Sequence, residues 1–233
     1  MVATARTATL EGEIQAQTLS PSAVSRSSAP PYSSDTNQRL ATRALDVVFA
    51  CLGLLMLAPL LVLVALAIRL NSPGPVLFRQ TRTGLNGRVF RIYKFRTMRV
   101  LEDGPEVRQA CRGDARVTSV GQILRRTHLD EMPQLLNVLR GEMALVGPRP
   151  HALAHDEHYG REIPAYRLRF QVKPGMTGWA QVNGARGETP TLGHMQRRVE
   201  LDLWYVQHQS LTLDLTILLR TLLMVLARPS SVH

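Results

Sequence analysis

The stretch Val47–Ile68, VVFACLGLLMLAPLLVLVALAI, runs for about 22 residues without a charge. At about 1.5 Å per residue it is long enough to cross a hydrocarbon core of about 30 Å. Uninterrupted Leu, Val and Ala leave no polar face for water, which sets the run apart from the amphipathic helix of a soluble core. Pro59 sits near its middle. A proline there removes one backbone hydrogen bond and crowds the carbonyl four residues back, so the helix is expected to kink or break at that point. Arg39 and Arg43 precede the run, and Arg69, Arg79 and Arg82 follow it, whereas a simple crossing concentrates positive charge on one side. A re-entrant helix that enters and leaves by the same face accounts for both features.

Outward from this segment the chain divides into three. Residues 1–38 are rich in Ser, Ala, Thr and Pro and poor in large apolar side chains, and a disordered tail is expected. Residues 39–70 form the membrane helix. Residues 71–233 are expected to form one domain, of a size that fits a single core. Its fold class is expected to be α+β: a small, helix-rich domain containing a short β-hairpin, with interfacial helices and a membrane anchor. PVLFRQ and RVFRIYKF are β-prone runs separated by Gly84, Asn86 and Gly87, and predict the hairpin. The polar stretch from about Glu102 to Arg116 predicts a loop or short helix. PQLLNVLR, Pro133–Arg140, has a proline for its first turn and Gly141 for its end, and predicts a compact helix. LTLDLTILLRTLLMVLA carries Asp214 and Arg220, which interrupt it as a span, so it predicts a helix lying at the interface or packed on the domain.

The formal net charge of +10 points to an anionic partner: nucleic acid, acidic lipid or phosphate-bearing substrate. Aromatic residues make up only 5%, which disfavours single-strand nucleic-acid binding, where bases stack on rings. Cys51 and Cys111 offer neither metal spacing nor a disulfide framework, and fit a reducing compartment.

Asp130 and Glu131 just before Pro133 have a plain explanation, since acids at a helix start cap it and oppose its dipole. Arg125 and Arg126 lie immediately upstream, and Arg149 lies in the GPRP turn downstream. Guanidinium forks grip phosphate oxygens at two points, and two acids among arginines can hold a divalent ion and a diphosphate together. Adjacent residues do not share a helix face, so one carboxylate can attack while the other holds metal. Attack on phosphorus gives an acyl phosphate, and nearby cations favour the ionised nucleophile it requires. Magnesium suits hard oxygen ligands and substrate phosphates, and the chain offers no thiolate cluster. Lys94 and Arg96 close the second hairpin strand, as phosphate ligands or as a solvated strand end. His151, His155 and His158 in HALAHDEHYG lack the HExxH pattern and are expected on a solvated helix face. His128 could assist proton movement or be structural.

Four stretches in order, TRALDVVFACLGLLMLAPL, GPVLFRQTRTGLNGRVFRIYKFRTM, LRRTHLDEMPQLLNVLRGEMALVGPRP and VKPGMTGWAQVNGARGET, resemble the monotopic bacterial sugar transferases, the polyprenyl-phosphate phosphoglycosyl transferases. The likeness covers about Thr42 to Ala227. It implies that Asp130 is the nucleophile and Glu131 its partner, with both residues at a required Mg2+. It also implies ping-pong transfer through a phosphosugar-aspartate. By the same resemblance Arg125 and Arg149 match active-site and phosphate-binding positions, and Lys94 another active-site position. The apolar segment matches a re-entrant helix broken at Ser-Pro in some members, where this chain has Ala58-Pro59. RGETPTLGHMQRRVELDLWYVQ looks closest to members that move glucose-1-phosphate from UDP-glucose to undecaprenyl phosphate, the first membrane step of exopolysaccharide or glycan synthesis.

The implied partners are a UDP-sugar, undecaprenyl phosphate and membrane lipids, with no nucleic acid; a homodimer is compatible. The implied location is the bacterial inner membrane with the catalytic domain facing the cytoplasm. Larger relatives carry further membrane helices and a domain ahead of this region, so the chain looks like the minimal catalytic form. Two other classes compete: a membrane-tethered basic module that binds anionic lipid or nucleic acid, and a scaffold without turnover. Both leave Asp130 and Glu131 as helix caps.

Overall fold

The computed structural model describes residues 36–99 and 113–227. It opens with α1, Thr36–Asn71, a single helix of 36 residues. The hairpin follows as β1, Leu77–Thr83, and β2, Val89–Phe95, paired antiparallel with Gln80 opposite Ile92. Its connection runs through Leu85–Gly87, where Asn86 and Gly87 take left-handed conformations, as the Gly/Asn signal predicts. Then come α2, Ser119–Arg126; a 3-10 helix, Leu129–Gln134; and α3, Leu135–Arg140. Strand β3, Ala144–Val146, pairs parallel with β4, Gly175–Thr177. Between them lie α4, Leu153–Glu162, and a 3-10 helix, Tyr166–Gln171. Three helices complete the chain: α5, Trp179–Val182; α6, Leu192–His208; and α7, Leu211–Ala227.

Most of the tail expected over 1–38 lies outside the described residues, but its last three residues already belong to α1. So does most of the polar stretch from Glu102 lie outside them; Gly113–Arg116 are turns and coil.

The helix α1 is continuous through Pro59, so the break expected there does not divide it into two elements. A proline removes a single N–H and leaves the rest of the ladder intact. Both ends of α1 are tied to the same domain. The Arg43 guanidinium donates to the carbonyl oxygens of Val138 (2.6 Å) and Leu139 (2.8 Å) at the end of α3. The Asp46 carboxylate accepts the Leu145 N–H at 2.9 Å. At the other end Asn71 donates to Ser119 Oγ at 3.2 Å. Ala50 joins Phe90, Ile92, Leu135, Val138 and Met143 in one buried cluster, while Val64 and Ile68 join Phe95 and Leu124 in another. The middle stands away from the domain: Leu55, Met56, Val62 and Leu63 are each more than 60% exposed. Only 11% of the most apolar window of α1 is buried, so it is not the core helix of a soluble fold. Helix α7 packs Ile217 inward and exposes Leu219, Leu222, Leu223 and Leu226.

Two features of the fold bear directly on the site. The hairpin has a free edge on β2, and α3 closes it with one side chain. Asn137 is fully buried; its Oδ1 accepts the Tyr93 N–H at 3.0 Å, and its Nδ2 donates to the Arg91 carbonyl (2.8 Å) and Glu142 Oε2 (2.7 Å). The amide thus stands in for a third strand. At the other end of β2, a Cβ on Gly121 would lie 2.1 Å from the Thr97 carbonyl oxygen, so only glycine lets α2 close this tightly on the strand.

Candidate active site

Strand β2 alternates faces, so Phe90 and Ile92 go to the core and Lys94, two residues on, shares their side. Opposite it, His128 takes a left-handed conformation (φ 56°) and turns the chain from α2 into the 3-10 helix that carries Asp130 and Glu131. Histidine is among the few non-glycine residues enriched there, and such backbone strain gathers at functional sites. The GPRP turn brings Arg149 in from a third direction. A Cβ on Gly147 would lie 2.3 Å from the Lys173 carbonyl oxygen, so the turn sits backbone against backbone on the segment leading into β4.

Glu131 is the hub. Lys94 Nζ lies 2.8 Å from its Oε1, Arg149 Nη1 donates to Oε2 at 3.0 Å, and Arg149 Nη2 donates to Oε1. Burial works against the Glu131 charge, but Arg149 and Lys94 overcome it and hold the carboxyl well below the usual range. Burial lowers Lys94, with Glu131 opposing. Asp130 has the opposite balance: burial pushes it up to about 6, the Glu131 charge adds to the rise, and Lys94, Arg125 and Arg149 pull it back. Arg125 donates from Nε to Thr97 Oγ1 at 3.0 Å and feels both carboxylates. Burial lowers His128, so its imidazole is neutral at neutral pH.

The structure therefore gathers Lys94, Arg125, Asp130, Glu131 and Arg149 in one place, but not Arg96. That guanidinium, 3% exposed, donates to the carbonyl oxygens of Pro73 and, at 2.7 Å, Ser72. It fastens the loop after α1 to the end of β2 and is not open to a substrate. His151, expected on a solvated face, is buried, with Nδ1 2.6 Å from Tyr166 Oη. His158 is exposed, with its ring against Tyr159.

A second layer holds Arg149 in place. Arg169 Nη2 donates to the Arg149 carbonyl at 2.7 Å, Arg169 Nε to Asp202 Oδ2 at 2.8 Å, and Arg82 Nη1 to the Pro150 carbonyl at 3.1 Å. Tyr166 Oη donates to Asp156 Oδ1 at 2.7 Å. These partners leave no signal in the sequence, since a charged residue within a helix reads as solvated until its neighbours are known.

Among the described residues no group of three or more His, Cys, Asp and Glu side chains converges on one point. A hard divalent ion here would be held by the Asp130 and Glu131 carboxylates, with water and a diphosphate supplying its remaining ligands. Magnesium accepts such a set, since it commonly binds through one or two carboxylates plus phosphates.

A carboxylate ringed by three cations beside a second, firmly ionised carboxylate is suited to chemistry on a phosphate ester, on a scaffold with a long apolar helix whose middle is exposed. Comparison with known proteins agrees. The bacterial sugar transferase family model matches residues 37–228. The UDP-glucose:undecaprenyl-phosphate glucose-1-phosphate transferase of Caulobacter vibrioides is 60% identical over 182 residues, 78% of this chain and 68% of that protein. The Escherichia coli protein of the same name is 55% identical over 183 residues, 78% of this chain but 39% of its own length. The exopolysaccharide production protein PSS of Rhizobium leguminosarum is 47% identical over 190 residues, 80% of this chain and 95% of that protein. The chain belongs to the bacterial sugar transferase family, and with it to the phosphoglycosyl transferases.

Proposed function

We propose that the protein transfers a sugar-1-phosphate, glucose-1-phosphate in the first instance, from a UDP-sugar to undecaprenyl phosphate at the bacterial inner membrane. The names of the Caulobacter and Escherichia coli relatives support the substrates, and that of the Rhizobium relative supports a place in exopolysaccharide synthesis. The observation that carries the mechanism is the division of labour between the two carboxylates. Glu131 has both oxygens engaged by Lys94 and Arg149, whereas among the described residues no hydrogen bond ties up the Asp130 carboxylate. Asp130 is the one able to attack.

In the first half-reaction an Asp130 carboxylate oxygen forms a bond to the sugar-linked phosphorus. The bond to the bridging oxygen breaks, and its electron pair leaves with UMP. In the second, a phosphate oxygen of undecaprenyl phosphate attacks the same phosphorus, freeing Asp130 and giving undecaprenyl-diphospho-sugar. Lys94, Arg125 and Arg149 offset charge on the phosphoryl oxygens. Magnesium, when bound, neutralises the diphosphate and polarises the phosphorus. The covalent intermediate lets one site meet a soluble and a membrane-held substrate in turn.

The membrane arrangement follows the same proposal. Arg43 and Asn71 fasten both ends of α1 to one domain while the segment between exposes its leucines. In this proposal a helix so held bends near Pro59 and enters and leaves the bilayer by one face, the cytoplasmic one, with the exposed leucines of α7 at the interface.

The test is enzyme with UDP-glucose and magnesium but no lipid acceptor. UMP should appear at about one per active site, and intact-mass analysis should show the added phosphosugar. UMP that appears only with undecaprenyl phosphate, with no mass increase at any time, would replace this mechanism with direct transfer in a ternary complex.

A further inference from the structure

Apart from the buried Asp214, helix α7 carries a single charged side chain, Arg220, and it is exposed. The exposed leucines Leu215, Leu219, Leu222, Leu223 and Leu226 recur at three- and four-residue spacing and form one stripe. Arg220 follows Leu219 by one residue and precedes Leu223 by three, so it lies on the flank where the stripe gives way to the packed face. That packed face is fixed. Ile217 is fully buried, Tyr205 Oη donates to Asp214 Oδ1 at 2.7 Å, and Thr221 Oγ1 lies 2.7 Å from Thr177 Oγ1 on β4. The helix is not free to roll, so the stripe and Arg220 keep their places.

The Arg220 side chain is itself held. Its guanidinium carbon stands 5.3 Å from the centre of the Trp179 ring at the start of α5. Trp179 stacks on Trp204 of α6 with ring centres 4.6 Å apart and 22° between the planes, and Trp204 stacks in turn on His208 at 4.3 Å and 13°. Four planar groups from three helices thus form one continuous pile with a cation at one end. Among the described residues no hydrogen bond or ion pair engages the Arg220 guanidinium or either indole N–H. A guanidinium that meets a ring by its face keeps the N–H donors of its edge for two-point contact with phosphate oxygens.

The surroundings of this cation select its ligand. Helix α7 is in contact with α1, whose middle exposes Leu55, Met56, Val62 and Leu63, so the two exposed apolar surfaces belong to neighbouring helices. Half-buried indoles beside a leucine stripe suit the level of lipid headgroups, where one end of the ring is apolar and the other wet. An arginine on the same flank can lay its stem along hydrocarbon and carry its charge up to the phosphates. An acidic soluble protein would instead meet a cation bordered by leucines and would leave them uncovered.

We propose that Arg220, stacked on Trp179 and Trp204, is a binding site for the phosphate of an anionic phospholipid headgroup, and that this contact sets the depth of α7 in the bilayer surface. The proposal rests on the interfacial placement of α7 given above. One basic residue near an anionic surface should favour anionic over zwitterionic lipid beside the pile by about fivefold.

The chain has only two tryptophans, Trp179 and Trp204, so its tryptophan fluorescence reports on this pile alone. The full chain is reconstituted in phosphatidylcholine nanodiscs, and quenching is titrated with phosphatidylglycerol or phosphatidylcholine brominated at the same shallow acyl position. In the parent, phosphatidylglycerol should reach equal quenching at about a fivefold lower mole fraction. In Arg220→Ala the two lipids should quench alike, and Arg220→Lys, which keeps the charge but loses the fork and the flat stack, should retain part of the preference. Each variant is its own reference, so a change in indole brightness cancels. UMP release from UDP-glucose in detergent should be parent-like in both variants; its loss in Arg220→Ala would place the residue in the reaction and overturn the lipid site. Equal quenching by the two lipids in the parent, or a preference that survives Arg220→Ala, overturns the proposal and leaves α7 at the interface. Quenching by neither lipid overturns the interfacial placement as well. If undecaprenyl phosphate displaces the brominated phosphatidylglycerol at a far lower mole fraction than unlabelled phosphatidylglycerol does, the cation serves the acceptor and the proposal falls.

Discussion

Replacing Asp130 with asparagine should abolish turnover and stabilise the fold, with a stability gain that depends on pH. Asp130 sits near 3.8 in the unfolded chain and about 6 in the folded one, raised first by burial and then by Glu131. Between those values the folded protein keeps a proton the unfolded chain has released, so stability falls as pH rises from about 4 through 6 and stays reduced above. The full shift corresponds to roughly 3 kcal/mol at about 1.4 kcal/mol per tenfold change in acidity, and partial exposure of the group reduces this to about 1–2 kcal/mol. The amide of Asp130→Asn carries no charge at any pH and escapes the penalty. The melting temperature of the variant should match the parent near pH 4 and exceed it by about 2–6 °C at pH 8. The assay is thermal unfolding in detergent across that range with chelator present, beside UMP release, which should drop at least about 1,000-fold. A pH-independent difference, or a variant less stable at pH 8, would refute the desolvation argument. Retained turnover would refute the nucleophile.

Glu131→Gln keeps the shape but leaves Lys94 and Arg149 facing each other without their shared anion; activity should fall severely, the magnesium optimum should rise, and the fold should lose about 3 kcal/mol by chemical denaturation. Asn137→Ala uncovers the Tyr93 N–H and the Arg91 carbonyl at the β2 edge and should cost about 2–4 kcal/mol by the same measurement; a loss under about 0.5 kcal/mol would mean water replaces the amide. Cysteines introduced at Ser34 and Asn86 in a Cys51→Ser/Cys111→Ser background should both be shielded from periplasmic reagents in intact cells, and opposite accessibility would show that α1 crosses the bilayer.

Much of the fold could be read from local pattern. The apolar run of α1, the alternation of Phe90, Ile92 and Lys94, and the Gly84-Asn86-Gly87 turn each encode their element in adjacent residues. Five candidate site residues were legible because they fall within 56 positions of one another, from Lys94 to Arg149, and cluster as charged residues around one helix start, one strand end and one proline-rich turn. Arg96 misled because it repeats the period of Lys94, but β2 ends at Phe95, and beyond a strand end alternation no longer fixes direction. Asn137 was illegible for a different reason. An amide in a helix reads as a polar surface residue, and its role appears only when the free edge of β2 is seen to lie against it.

The basic composition needs a different interpretation from the one the sequence invites. A charge of +10 points to anionic partners, yet many of the arginines bind this chain's own backbone. Arg43, Arg69, Arg82, Arg96, Arg169 and Arg198 all donate to carbonyl oxygens at helix ends and turns. A domain with two short sheets and many turns leaves carbonyls without ladder partners, and a guanidinium with five donors can satisfy several at once. Charge count therefore overstates the surface available to phosphate. What marks the candidate site is the convergence of Lys94 and Arg149 on Glu131, with the Asp130 carboxylate held in their field but not bonded to either.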